Sequence, residues 1–182
     1  MKAYLIAAVV LALASPAAAE TPQDQFFDRV TALCGKAFEG RVVTNDPADA
    51  SFAGQRLVMQ VASCTPKEIR IPFSVGADRS RTWVISRSVE GLRLKHDHRH
   101  ADGTEDAVSQ YGGDAASPGA AKRQEFPVDQ FSKDLFVREN RAVSVTNVWA
   151  IEVEPGAAFA YELRRPNRHF RVEFDLSKPV TP

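Results

Sequence analysis

From Phe38 onward, apolar residues recur at every second position, the period of a strand with one buried face. Leu57, Met59 and Val61 form one such row, and Ile69, Ile71 and Phe73 a second, broken by Pro72, which predicts an edge position or a bulge. Val143, Val145, Asn147, Trp149, Ile151 and Val153 form a third. Phe159, Tyr161 and Leu163 form a fourth, and Phe170, Val172, Phe174 and Leu176 a fifth. Glu90-Gly91, Asp102-Gly103, Pro155-Gly156 and Pro166-Asn167 punctuate these runs at hairpin spacing. About nine strands in this rhythm exceed what one open sheet covers comfortably, so closure into a barrel is expected. The opening TPQDQFFDRVTALCG breaks the rhythm. Its Phe26, Phe27, Val30 and Leu33 make a helical stripe, Thr21 caps it, Pro22 suits the first helical position and Gly35 ends it. A second short helix is expected over Val128–Leu135, and Gly112–Arg123 as a flexible loop at a mouth. The expected fold class is all-β, an antiparallel lipocalin-like barrel with an N-terminal helix.

The same periodicity assigns faces to the segment KHDHRH, Lys95–His100. A two-residue turn at Glu90-Gly91 sets Trp83 opposite His98, Ile85 opposite His96, Arg87 opposite Leu94 and Arg81 opposite His100, and residues opposite one another share a face. The histidines then point inward with Trp83, Ile85 and Leu94, while Thr82, Ser86, Arg93, Lys95, Asp97 and Arg99 face water. Continuing through Asp102-Gly103 brings Glu105 opposite His100 and Tyr111 opposite Leu94. A one-residue slip would reverse every face. The expected ligand-binding set is His96, His98, His100, Arg87, Trp83 and Tyr111, with Arg81 on the same wall.

Composition narrows the function classes. The 23 basic and 23 acidic residues balance, with no basic block, so a nucleic-acid partner is not expected. MKAYLIAAVVLALASPAAAE has a basic residue, a short apolar run and an A-x-A end, which predicts a signal peptide over residues 1–19 and a single domain over 20–182. The apolar run falls short of the roughly 20 residues a bilayer span requires, and no membrane span is expected. Periplasmic or secreted destinations follow. There the two cysteines, Cys34 and Cys64, are expected to pair. No serine-hydrolase elbow, phosphate loop, Rossmann glycine pattern or CxxC occurs, and no catalytic residue is assigned. Glu39, Glu125 and Glu152 are not placed together by anything in the sequence.

HRHADGTEDAVSQYG, with HxH, four residues, Glu, six residues and Gly, resembles the core of the first cupin motif. That resemblance implies a divalent metal held by His98, His100 and Glu105. The upstream glycine, Gly91, lies one residue too far from His98, and no PxG followed by histidine occurs, so a fourth ligand has no counterpart. His96 and His100 lie about 13 Å apart along a strand, too far to share the ion. At greater length, IRIPFSVGADRSRTW, GLRLKHDHRHADGTEDAVSQYGGD, RQEFPVDQFSKDLF and FRVEFDL resemble exported bacterial proteins to which no function is assigned, which implies export. The opening helix with LCGKAFEGRV is similar in layout to lipocalin-like barrels. The leading expectation is non-catalytic binding of a small molecule in the barrel. The alternatives are a metal-dependent cupin-like enzyme with Gly112–Arg123 as lid, and an envelope structural or interaction protein with a packed interior.

Overall fold

The computed structural model describes residues 19–182, so the expected signal peptide, apart from its last residue, Ala19, lies outside the described residues. Helix α1 spans Pro22–Thr31, and the strands are β1 (Ala37–Val42), β2 (Leu57–Gln60), β3 (Ser63–Cys64), β4 (Glu68–Val75), β5 (Asp78–Ser88), β6 (Gly91–His98) and β7 (Tyr111–Asp114). After β8 (Arg123–Pro127) come helix α2 (Gln130–Arg138), β9 (Val148–Glu154), β10 (Ala158–Arg165) and β11 (Arg168–Val180). Strand order is β7-β6-β5-β4-β2-β1-β11-β10-β9-β8, with β3 a stub on β4. Apart from the β3 stub, the strands from β1 to β7 and from β8 to β11 thus each pair with their neighbours in sequence, and β1 joins β11. The result is an antiparallel up-and-down meander nearly closed into a barrel, as the strand rhythm predicts.

The circuit is open at one place, between β7 and β8. There the backbones approach too closely for a side chain: a Cβ on Gly113 would lie 1.7 Å from the Pro127 carbonyl oxygen, while on the β6 side one on Gly112 would lie 1.9 Å from that of Leu94. Asp129 donates its N–H to the Gly112 carbonyl at 2.9 Å, and the Ser132 hydroxyl bonds both the N–H and the C=O of Gly112. The start of α2 therefore supplies hydrogen bonds that a regular strand pair would have made. This corrects the expected loop: Gly112 and Gly113 are buried in β7, and only the stretch between β7 and β8 is irregular.

The inner face carries the predicted rows. Ile71 pairs with Trp83, Trp83 with His96, Tyr161 with Ile151 and Val172, and Phe159 with Val153 and Phe174. Pro72 falls where β4 passes from pairing with β2 at Phe73 to pairing with β3 at Arg70, so its missing N–H coincides with the break in the partner strand. The third row is shorter than the pattern suggests, because Ala142–Ser144 form a 3₁₀ turn and β9 starts at Val148.

Helix α1 covers one end of the barrel. Thr21 and Asp24 form a reciprocal capping box, Pro22 opens the helix, and Phe26, Phe27 and Val30 are buried. Cys34 and Cys64 form a disulfide that ties the chain after α1 to β3. Among the described residues no helix is long and apolar enough to cross a membrane.

The outer face is less solvated than the alternation suggests. Asp97 is only 5% exposed and lies beneath two guanidinium groups, at 2.5 Å from Arg70 and 3.0 Å from Arg99. Lys95 reaches the Asp129 carboxylate at 2.5 Å and lies over Phe131 of α2. Glu125 and Glu152 belong to an ion-pair cluster built on Arg123, Arg171 and Glu162, while Glu39 pairs with Arg56.

Candidate functional site

The histidines sit on β6 and its continuation, so the β5–β6 turn decides where they point. The turn residues are Val89-Glu90, with Ser88 paired to Gly91, one position earlier than the expected Glu90-Gly91. Moving a two-residue turn by one position shifts every cross-strand partner by two and leaves the faces unchanged. Trp83 therefore pairs with His96 instead of His98, and Arg81 with His98 instead of His100, yet His96 still points into the barrel.

The second turn departs further. Arg99 bridges to Glu105, after which an irregular stretch intervenes before Tyr111 pairs with His96. The expected pairing of Tyr111 with Leu94 is replaced, since Leu94 lies against Gly113. Glu105 is carried to the face of Arg99, where its carboxylate lies 3.5 Å from the guanidinium and accepts from Gln110 at 3.0 Å. His100 is exposed. His98, His100 and Glu105 are thus not brought together, and among the described residues no group of three His, Cys, Asp or Glu is placed to hold a metal ion.

His96 is fixed at both ring nitrogens. Nδ1 lies 3.0 Å from the Tyr111 carbonyl oxygen and Nε2 lies 2.7 Å from the Tyr161 hydroxyl. A carbonyl only accepts, so Nδ1 carries the hydrogen. Burial holds the ring's pKa down to about 3, with the His98 and Lys95 charges adding to the effect, so Nε2 is a bare acceptor for the Tyr161 O–H. Burial likewise pushes the Tyr161 phenol well above its ordinary range and Tyr111 up to about 12. Neither phenol is poised as a base or nucleophile at neutral pH.

His98 forms a second phenol–imidazole pair, its Nε2 lying 3.0 Å from the Tyr111 hydroxyl. Burial and the nearby Arg81 charge lower its pKa, against the pull of Asp106, Asp78 and Asp97. Tyr111 stacks on His96 at 4.5 Å between ring centres.

These groups line a cavity of about 250 Å³ at the barrel end opposite α1. Its apolar wall is Phe52, Phe73, Trp83, Tyr161, Leu163 and Phe170, and its polar wall is Arg81, His96, His98, Tyr111 and Arg168. Trp83 is held by near-parallel stacking with Phe73 at 4.8 Å and Tyr161 at 4.3 Å. Phe52 arrives on a 3₁₀ helix, Pro47–Phe52, whose Asp49 and preceding Asp46 are both bonded by Arg168, and it meets Phe170 at 5.0 Å.

Of the expected ligand-binding set, His96, His98, Trp83 and Tyr111 line this cavity, joined by Arg81. Arg87 does not. It lies at the α1 end, with its guanidinium 4.2 Å from the centre of the Phe27 ring and bonded to Asp24, Asp28 and the Pro66 carbonyl. The stretch between β7 and β8 belongs to that end too, since the Gln23 side chain donates to the Ser117 carbonyl at 2.9 Å; it is not a lid over the cavity. Tyr161, Leu163, Phe170, Phe73, Phe52 and Arg168 complete the wall, and the sequence reading does not assign them to the site. The first four lie in rows of period two that mark them as inward-facing, but their adjacency to KHDHRH arises only from barrel closure. Comparison with family models, with curated proteins and with solved structures returned no match for this chain.

Proposed function

We propose that this protein is an exported, non-catalytic binder of a small molecule held in the cavity beside His96 and His98. One observation supports this above the others: the cavity of about 250 Å³ is walled by aromatic and aliphatic side chains with a few convergent polar groups. That division of surface suits a small ligand, an apolar body for contact area and a polar wall for orientation. The volume lies just under the ~300–1,000 Å³ typical of drug-sized ligands, so a one-ring or short-chain molecule fits the reading.

A binding role also suits the chemistry of the polar wall. His96 is neutral and bonded at both nitrogens, and the two phenols keep their protons at neutral pH, which leaves them oriented hydrogen-bonding groups with no activated nucleophile among them. Export is supported by the Cys34–Cys64 disulfide, a bond that persists in oxidising compartments, together with the resemblance to exported bacterial proteins.

Native mass spectrometry of untagged, disulfide-intact protein tests the reading. The expected result is a retained or added small molecule whose binding is lost when Leu163→Trp fills the cavity. A protein that neither retains nor takes up any small ligand would instead favour a packed interior with a structural or interaction role.

A further inference from the structure

The cavity's charged groups are unequal, and the inequality points to a ligand class. Among the described residues no carboxylate lines it, and the cations that do are Arg81 and Arg168. Arg168 is committed, with its guanidinium bonded to Asp46 and Asp49. Arg81 is not: among the described residues its one side-chain hydrogen bond runs from Nη2 to Asp78 at 2.6 Å, leaving Nε and Nη1 without a protein partner. A guanidinium presents five donors in a fixed fork, so Arg81 keeps an unused edge suited to a planar anion.

The remaining polar groups are neutral and supply no counter-charge for a cation. Tyr161 spends its hydrogen on His96, which leaves its oxygen only as an acceptor. The Tyr111 hydroxyl and His98 Nε2 are bonded to each other, with the direction set by the imidazole tautomer. Imidazoles and phenols hold no negative charge to receive a cation, and among the described residues no aspartate or glutamate stands in the wall. A ligand cation would face two arginines, whereas a ligand carboxylate would meet Arg81, whose guanidinium is balanced by one carboxylate where that of Arg168 is balanced by two.

We infer that the cavity takes a small carboxylate with an apolar or aromatic body, its anionic end at Arg81 and its body among Phe52, Leu163 and Phe170. This rests on the small-molecule reading above and adds the charge of the ligand. With Trp83 already engaged by Phe73 and Tyr161, the volume of about 250 Å³ suits a single ring or a short chain.

Benzoate, benzyl alcohol and benzylamine share one ring and differ in charge, and calorimetry with saturation-transfer NMR on disulfide-intact protein separates them. Benzoate is expected to bind about tenfold or more tighter than benzyl alcohol, benzylamine weakest, with the benzoate advantage shrinking as ionic strength rises. Arg81→Met should erase that advantage by weakening benzoate far more than benzyl alcohol, and Leu163→Trp should weaken all three. Should Arg81→Met fail to fold, the ranking and its salt dependence in the unaltered protein still decide. Equal affinities, or a preference that survives Arg81→Met, would overturn the charge assignment while leaving a binding cavity in place. Absence of binding by all three, with no ligand retained in native mass spectrometry, would overturn the binding reading together with it.

Discussion

The imidazole Nε2 of His96 lies 2.7 Å from the Tyr161 hydroxyl, across the barrel interior from β6 to β10. These residues are 65 positions apart, and both are buried. Removing the hydroxyl leaves a neutral ring nitrogen with no donor. Tyr161→Phe is therefore expected to lower stability by about 1–3 kcal/mol, read from the urea midpoint at constant slope. Tyr111→Phe should cost less, because His98 is only half-buried and water can replace the phenol. Equal midpoints for Tyr161→Phe and the parent would remove the significance given to this bond.

Protonation of His96 gives a second expectation. The folded state holds its pKa at about 3, below the ordinary 6.5. Between those values the unfolded chain binds a proton that the folded chain refuses, so stability is complete above about pH 6.5 and declines as pH falls toward 3. The slope from this one group is about 1.4 kcal/mol per pH unit within that window. Other groups titrate there as well, so the informative quantity is the stability gap between the parent and His96→Gln, which should narrow steadily as pH falls from 6 to 4. A gap independent of pH would contradict a neutral, buried His96.

Arg87 belongs to the attachment of α1 and not to the cavity. Arg87→Met removes bonds to Asp24, Asp28 and the Pro66 carbonyl while keeping apolar contact with Phe27. Faster hydrogen exchange in α1 is expected, with ligand affinity unchanged. Reducing Cys34–Cys64 should loosen the same end and lower stability by about 2–4 kcal/mol. Loss of ligand binding in a folded Arg87→Met protein would return Arg87 to the site.

The β7–β8 junction tolerates no side chain. Gly113→Ala would drive a methyl group into the Pro127 carbonyl, contact with backbone that cannot swing aside. A loss of about 3 kcal/mol is expected, at the upper end for overpacking, with exchange protection falling first in β7, β8 and the start of α2. An alanine variant with the parent's stability would show that the junction can spread at little cost.

Much of the architecture was legible because a barrel wall repeats one simple demand. Alternation placed Trp83, Ile85, His96, Ile151, Tyr161 and Val172 on the inner face, and that assignment survives although the β5–β6 turn lies one position earlier than Glu90-Gly91 suggests. The fate of Arg87 and Glu105 was not legible. Each has the inward parity or spacing that the pattern asks for, yet Arg87 finds Asp24 and Asp28 on a helix 60 positions away, and Glu105 follows an irregular backbone to Arg99. Long charged side chains settle where their partners are, and parity says nothing about partners.

The sequence by itself determined an antiparallel β meander with a capped helix at its front and two cysteines placed to meet, because period, capping and turn chemistry act within a few residues of one another. Only the tertiary structure decided that His96 meets Tyr161, that Phe52 and Phe170 complete the cavity and that Arg168 is held by two carboxylates and Arg81 by one. Those relations join strands distant in sequence, and they exist only once the sheet curls far enough to bring its two halves face to face.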